Sequence, residues 1–180
     1  MLGYRSRRAR LGGVSGPPHS VDPVQLGAYF ALVEVSSLLR YAIEQQLRED
    51  GGLTFVQFQL LRRLQLSPSG AARMTDLADS IVLSRSGLTY QASRLERDGL
   101  VARGPSAQDE RSVMISITDE GRALVNSVLP GHEAVVARMF FDPLGRDRAQ
   151  ELTGLLDPVR DHMRSAPPPS AAPRRRGRAR

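Results

Sequence analysis

Apolar residues recur every three or four positions over 23–49, which predicts one long helix that ends at the glycine pair 51–52. Thr54 follows, with Gln57 three residues later, and this arrangement fits a capping box at the start of a helix. A second helix is therefore predicted to run as far as Leu66, where Ser-Pro-Ser-Gly ends it.

Two shorter helices come next, with a tight polar joint between them. Thr75 can cap a helix over 76–82, and Ser84 can cap another over 85–98, which Gly99 closes. Two consecutive helices at this spacing are typical of a helix-turn-helix.

Two short segments of alternating polarity follow this pair directly. Residues 100–103 and 113–117 are predicted to form the strands of a β-hairpin around a polar loop. A helix-turn-helix that leads into a hairpin is the arrangement of a winged helix.

The rest of the chain is predicted to be helical. Thr118 can cap a helix over 119–141, which Pro130 should kink or split. Residues 142–143, Asp-Pro, should break it, and a last helix is predicted over 144–163. The predicted order is α-α-α-α-β-β-α-α.

The second helix of the pair has one apolar face and one face without carboxylates. At about 100° per residue, Leu88, Ala92 and Leu95 share the apolar side. Hydroxyl and guanidinium groups on the other side can hydrogen-bond base edges or phosphates in a major groove. The alternative is an ordinary amphipathic helix whose exposed face lacks acids by chance. The candidate DNA-binding residues here are Ser84, Arg85, Ser86, Thr89, Tyr90, Ser93, Arg94 and Arg97.

The polar loop of the hairpin carries Asp109, Glu110 and Arg111. Narrow minor grooves attract arginine, so Arg111 is a candidate DNA contact. Asp109 is a candidate for holding that guanidinium through a charge-assisted hydrogen bond. The alternative is a polar turn with an incidental surface ion pair.

These segments together resemble the MarR (multiple antibiotic resistance regulator) family over nearly all of 25–163. Two positions depart from the family pattern: Tyr90 stands where the recognition helix often has arginine, and Glu110 stands where the wing often has a basic residue. A carboxylate near phosphate should weaken binding unless Glu110 turns away or pairs with Arg103. The motifs that carry the resemblance are Leu53, Thr54, Phe55 and Phe58; Leu77 and Ala78; Arg94, Leu95 and Glu96 with Gly99 and Leu100; Asp109 and Arg111; and Ile117, Thr118 and Gly121.

The resemblance implies an obligate homodimer in which the first and last helices intertwine and two winged-helix lobes bind a pseudo-palindromic operator in double-stranded DNA. It also implies a repressor, less often an activator, relieved by a small anionic or aromatic effector. The residues support a dimer, because the first helix and residues 124–141 carry more apolar surface than one small lobe could cover. An intrachain helical bundle is the alternative.

The predicted fold is mainly α with a small β-hairpin, a winged helix-turn-helix flanked by N- and C-terminal dimerisation helices. Its parts are a disordered arginine-rich tail at 1–21, a dimerisation helix at 22–52, the DNA-binding region at 53–118, dimerisation helices at 119–164, and a second disordered arginine-rich tail at 165–180.

Charge separates the tails from the body. All 25 basic residues are arginine, and the tails contribute +9 to the formal net charge of +6 while residues 20–164 contribute −3. The tails are therefore candidates either for nonspecific DNA binding or for inert coil. The absence of cysteine excludes disulfides and thiol redox sensing. No apolar run approaches the roughly 20 residues of a membrane span, so a cytoplasmic protein is expected.

The sequence indicates only weakly which residues would bind an effector. Arg40, Tyr41, Phe58 and Arg62 could line a pocket between helices, although aromatic residues in helices are more often core. The three histidines have no shared spacing, so neither a metal nor a cofactor is expected. No catalytic arrangement is present, and we predict that the chain is not an enzyme. The alternative function is a winged-helix protein-interaction module that has lost specific DNA binding.

Overall fold

The structure is a computed structural model that describes residues 21–105 and 113–165. Within these ranges the chain is mostly helical with one small sheet, and the predicted fold class, a winged helix-turn-helix with flanking helices, is confirmed. The elements are α1 (Pro23–Gly51), α2 (Phe55–Leu66), β1 (Ala71–Arg73), α3 (Met74–Ser80), α4 (Arg85–Arg97), β2 (Val101–Pro105), β3 (Val113–Ile117), α5 (Asp119–Val136), a π-helical segment (Ala137–Phe141), α6 (Asp142–Leu144) and α7 (Arg146–Arg164).

The sheet has three antiparallel strands in the order β1-β3-β2. The predicted hairpin of β2 and β3 is present, with Arg103 opposite Ile115. β1 was not expected from the sequence. Its Ala72 pairs with the same Ile115 from the other side, so β3 is the central strand. A three-residue strand is too short to show an alternating pattern, and only its partner reveals it.

Side-chain caps begin three of the helices as predicted. Thr54 and Gln57 form the complete capping box of α2. Ser84 accepts a hydrogen bond from the Gly87 N–H at 3.1 Å at the start of α4. Thr118 accepts one from the Gly121 N–H at 3.1 Å at the start of α5. These caps fix the entry of the chain into each helix.

The predicted cap at Thr75 is wrong. β1 leads directly into α3, which begins at Met74 with Arg73 at the capping position and no side-chain cap. Thr75 already lies in the first turn, and its hydroxyl donates to Asp76 Oδ1 at 3.2 Å.

The predicted breaks near the C-terminus are also corrected. Pro130 lies inside α5, which continues to Val136 without splitting, so the predicted split is wrong and a kink there stays a prediction. Pro143 lies in the first turn of α6, a position that tolerates proline. The break falls instead at Gly145, whose φ of 77° is open to glycine at little cost.

One hydrophobic core joins α2, α4, the sheet and α5 with the last turns of α1. The chain divides into two compact units, the first ending at Ser37 and the second beginning at Leu38, and this core belongs to the second. The domain boundaries proposed from the sequence stay a prediction. The largest fully buried side chains are Leu47, Leu60, Leu61, Leu64, Leu88, Leu95, Ile115, Val125 and Val128.

Residues 21–37 form the first unit, as far as the structure describes it, and all are exposed in the single chain. By length and composition alone, α1 is apolar enough to cross a membrane. The sequence predicted no membrane span because no uninterrupted apolar run is long enough. In α1 the apolar residues are interrupted by scattered polar residues such as Glu34. The same composition suits a helix that another protein surface covers.

Gly121 is a position where packing admits no side chain. A methyl group there would lie 2.2 Å from the Leu100 carbonyl oxygen and 2.9 Å from Ile117 Cγ1. The carbonyl is held in place because it accepts a hydrogen bond from the Thr118 N–H at 3.2 Å.

We therefore expect Gly121→Ala to lower the free energy of unfolding by about 1–3 kcal/mol, the usual cost of overpacking. Gly104→Ala is the matched control, because no heavy atom lies within 4 Å of the added methyl group. Denaturant unfolding at one fixed protein concentration measures both. Equal stability of the two variants would contradict the packing argument.

Candidate nucleic-acid interface

The orientation of α4 is set by its apolar face. Leu88, Ala92 and Leu95 are all buried, so the face predicted from the sequence is the one that packs against the core. The cap at Ser84 fixes the first turn, and α4 packs on α3 and β2. The buried contacts of the apolar face therefore fix the opposite side of the helix toward the outside.

The outward side carries the predicted hydroxyl and guanidinium groups. Ser93 is half-buried, and Tyr90 is 59% exposed. Within the described residues, no carboxylate lies within ion-pair distance of an arginine on this side. The fully outward residues are Ser84, Arg85, Ser86, Thr89, Tyr90, Arg94 and Arg97, which with Ser93 we call the α4 face.

Three hydroxyl groups of the α4 face are partly committed to the protein itself. Ser84 accepts the capping bond and lies 3.2 Å from the Ser86 hydroxyl. Thr89 donates to the Arg85 carbonyl at 2.8 Å. The guanidinium groups and the Tyr90 hydroxyl are thus the groups best placed to donate to an external acceptor.

Glu96, the one acid within α4, is directed to β2. The Arg103 Nε–H donates to Glu96 Oε2 at 2.9 Å, and Nη2 donates to the same oxygen. The Arg103 backbone N–H donates to Glu96 Oε1 at 3.3 Å. The side-chain hydrogen bond to Arg103 holds the pKa of Glu96 below its usual value, outweighing the opposing effect of desolvation.

The tip of the hairpin lies outside the described residues. Arg111, the predicted groove contact, and Asp109, predicted to hold its guanidinium, fall there together with Glu110, and the two roles stay predictions. The strands that lead to them are described, and Pro105 is paired with Val113 at the last register position.

The turn between α3 and α4 contains a strained residue that sequence reasoning missed. Val82 has a φ of 56°, a left-handed conformation that β-branched residues avoid. Its side chain is 70% exposed, so packing does not explain the valine. The turn is held by the Leu83 N–H, which donates to the Ala78 carbonyl at 2.9 Å.

A pocket of about 420 Å³ opens beside α2 and α5. It brings together two of the four residues predicted to bind an effector, Phe58 and Arg62. The other two do not line it: Arg40 lies over the Phe55 ring at 5.5 Å, and Tyr41 is largely exposed. The remaining lining residues are Leu129, His132, Glu133, Val136 and Phe141.

His132 is a lining residue of this pocket that was not among the predicted effector-binding residues. Its ring lies 4.7 Å from the Phe58 ring, centroid to centroid. Its Nδ1 atom is buried, and within 21–105 and 113–165 it has no hydrogen-bond partner. Burial lowers the pKa of His132, the charge of Arg62 lowers it further, and Glu133 opposes the shift. Phe58 and His132 are 74 residues apart in the sequence, and the packing of α2 on α5 brings them together. No local motif predicts this contact.

Comparison with known proteins gives a consistent result. A model of the MarR family matches residues 51–112. Over 90 residues the chain is 33% identical to the HTH-type transcriptional repressor MdtR of Bacillus subtilis, a match that covers 50% of this chain and 57% of MdtR. The chain thus spans little more than half the length of this curated relative.

Two solved structures from Streptomyces coelicolor match far more of the chain. AbsC, a MarR family transcriptional regulator, is 31% identical, with 82% of this chain and 99% of AbsC covered and a TM-score of 0.76. Sco3205, a MarR family transcriptional regulator solved in complex with DNA, is 29% identical, with 87% and 97% covered and a TM-score of 0.78.

The strain at Val82 yields a stability prediction. Asparagine tolerates the left-handed conformation, so Val82→Asn is expected to raise the free energy of unfolding by about 1 kcal/mol. Val113→Asn is the matched control, since Val113 is also exposed but lies in the extended strand β3. There the same change should be neutral or slightly destabilising. Thermal unfolding measures both, and a less stable Val82→Asn protein would show that the turn is not strained.

Proposed function

This chain belongs to the MarR family of transcriptional regulators, and we propose that it binds a pseudo-palindromic DNA operator as a homodimer and acts as a ligand-responsive repressor. The observation that carries the proposal is the α4 face, a row of arginine and hydroxyl side chains without an acid, on a helix whose other side is buried. The family is one of regulators rather than enzymes, and we propose no catalytic role.

The α4 face suits the major groove chemically. Arg94 and Arg97 carry the paired donors that recognise guanine edges or phosphate oxygens. Tyr90 adds an aromatic ring and a hydroxyl at the position where relatives often have arginine. The preferred operator sequence is therefore expected to differ from the operators of those relatives. The solved complex of Sco3205 with DNA supports a DNA-bound state for a protein of this fold.

A second copy is the proposed cover for the exposed apolar surfaces. In the first unit, Tyr29, Phe30 and Leu32 are each about half exposed or more. In the second unit, α7 has no buried residue, and Leu155 and Met163 are each at least 70% exposed. Helices with such surfaces in a soluble regulator require a partner, and a two-fold dimer covers the same surfaces on both copies. Membrane insertion of α1 is the competing explanation. We favour the dimer because α7 also exposes apolar side chains.

A small effector is the proposed occupant of the pocket beside α2 and α5. Arg62 supplies a cation, and Phe58 and Phe141 supply aromatic surfaces. This combination favours a small anionic aromatic molecule, whose carboxylate would pair with the guanidinium. Because its target is the chromosome, we place the regulator in the cytoplasm.

Selection from random duplex DNA tests the DNA-binding proposal. We expect enrichment of two related half-sites with centres about 10 bp apart, because a two-fold dimer addresses one face of the duplex. Arg94→Ala should weaken binding to the selected site by about tenfold or more, as loss of a groove contact does. Arg48→Ala is the matched control, because that exposed arginine belongs to α1. A selection that enriches nothing would favour the protein-interaction alternative.

Operator release by benzoate derivatives tests the effector proposal. We expect at least one derivative to weaken operator binding, and Arg62→Met to raise the concentration needed for half-release by about tenfold, as loss of a charge-assisted bond does. Arg63→Met is the matched control, because Arg63 is the exposed neighbour on α2 and does not line the pocket. An unchanged response in Arg62→Met would place the effector elsewhere.

A further inference from the structure

The hairpin of β2 and β3 loses its hydrophobic support before it reaches its tip. Alternate residues share a face of a strand, so Val101, Arg103 and Pro105 point to the same side. Val101 is buried and Pro105 is exposed; on the partner strand Ile115 is buried and Val113 is exposed. Apolar packing therefore ends at the register position of Arg103.

At that position the contact with the helices changes from apolar to ionic. Arg103 is half-buried and continues the inner face of β2 toward α4. Its side chain and backbone N–H place three hydrogen bonds on the Glu96 carboxylate, in the last full turn of α4. Among residues 21–105 and 113–165, these are the side-chain hydrogen bonds that join α4 to β2.

We infer that Glu96 and Arg103 form a clamp that positions the β2–β3 hairpin beside α4, so that helix and hairpin meet DNA as one rigid surface. The inference rests on the proposed DNA-binding function and deepens it. Glu96 acts here as a positioning residue, because its carboxylate is directed at the hairpin and not at the α4 face.

Three physical arguments support this role over a merely stabilising one. An ion pair with both side chains about a third exposed adds little to global stability, so its value lies in geometry. A two-stranded hairpin is also marginal without packing, so the end beyond Arg103 depends on whatever fixes its base. In addition, β2 is an edge strand, and Glu96 satisfies a backbone N–H that faces away from β3.

Glu96→Gln separates positioning from simple charge effects. Removing a negative charge near the DNA-binding surface should by electrostatics alone tighten binding to phosphates. The clamp predicts the opposite, a loss of about tenfold in affinity for the selected operator, because the neutral amide cannot hold the guanidinium as a carboxylate does. Glu44→Gln is the matched control: it breaks another glutamate–arginine pair, with Arg48, at the same cost in charge.

The remaining measurements locate the loss. In Glu96→Gln, minor-groove protection on the flanks of the operator should weaken while the base preference within each half-site is kept. A double variant that adds Arg103→Met should lose no more than the single variants, since both break one interaction. Thermal unfolding should change little. Unchanged or tighter operator binding by Glu96→Gln would overturn the clamp while leaving the proposed function intact.

A readout without DNA keeps the two proposals apart. Amide hydrogen exchange at Arg103 should accelerate in Glu96→Gln, because its N–H loses a charged acceptor. If the wild-type protein enriched no DNA, the proposed function would fail, and faster exchange would still support the clamp as the anchor of the hairpin. Unchanged exchange would overturn it.

Discussion

Burial of one side of α4 is the constraint on which the rest of this protein depends. Leu88, Ala92 and Leu95 have no freedom to leave the core, so the other side of the helix has a fixed direction. A surface of long arginine side chains would specify little on a mobile element. On a helix held by buried leucines, the same side chains present donors at defined spacing.

The features that could be predicted from the sequence are those with local causes. The capping box at Thr54 and the caps at Ser84 and Thr118 involve residues three apart, and the buried face of α4 follows from helical periodicity. The helix-turn-helix, the hairpin and the surface chemistry of α4 could also be predicted, because they too depend on local sequence. The Thr75 cap failed because β1, formed by pairing with a distant strand, determines where α3 begins.

The features that the sequence did not indicate depend on distant contacts or on backbone conformation. The pocket brings Phe58 and His132 together where α2 packs on α5. Sequence spacing alone could not show that Arg40 and Tyr41 do not line it. The Pro143 break was misplaced because proline is tolerated in a first helical turn, whereas Gly145 supplies the conformation that a break requires. The strain at Val82 is likewise visible only in the backbone.

Charge placement allows a body with a net negative charge to present the α4 face, the surface proposed to bind DNA. Residues 20–164 sum to −3, so long-range attraction from the body as a whole would not favour DNA. The screening length at physiological ionic strength is about 8 Å, and at that range the local arrangement decides. α4 concentrates guanidinium groups on one side, and its single acid is turned to Arg103, where its charge is neutralised. The same ion pair that removes a repulsive charge from the surface also ties the hairpin to the helix, which joins the electrostatics of this interface to its geometry.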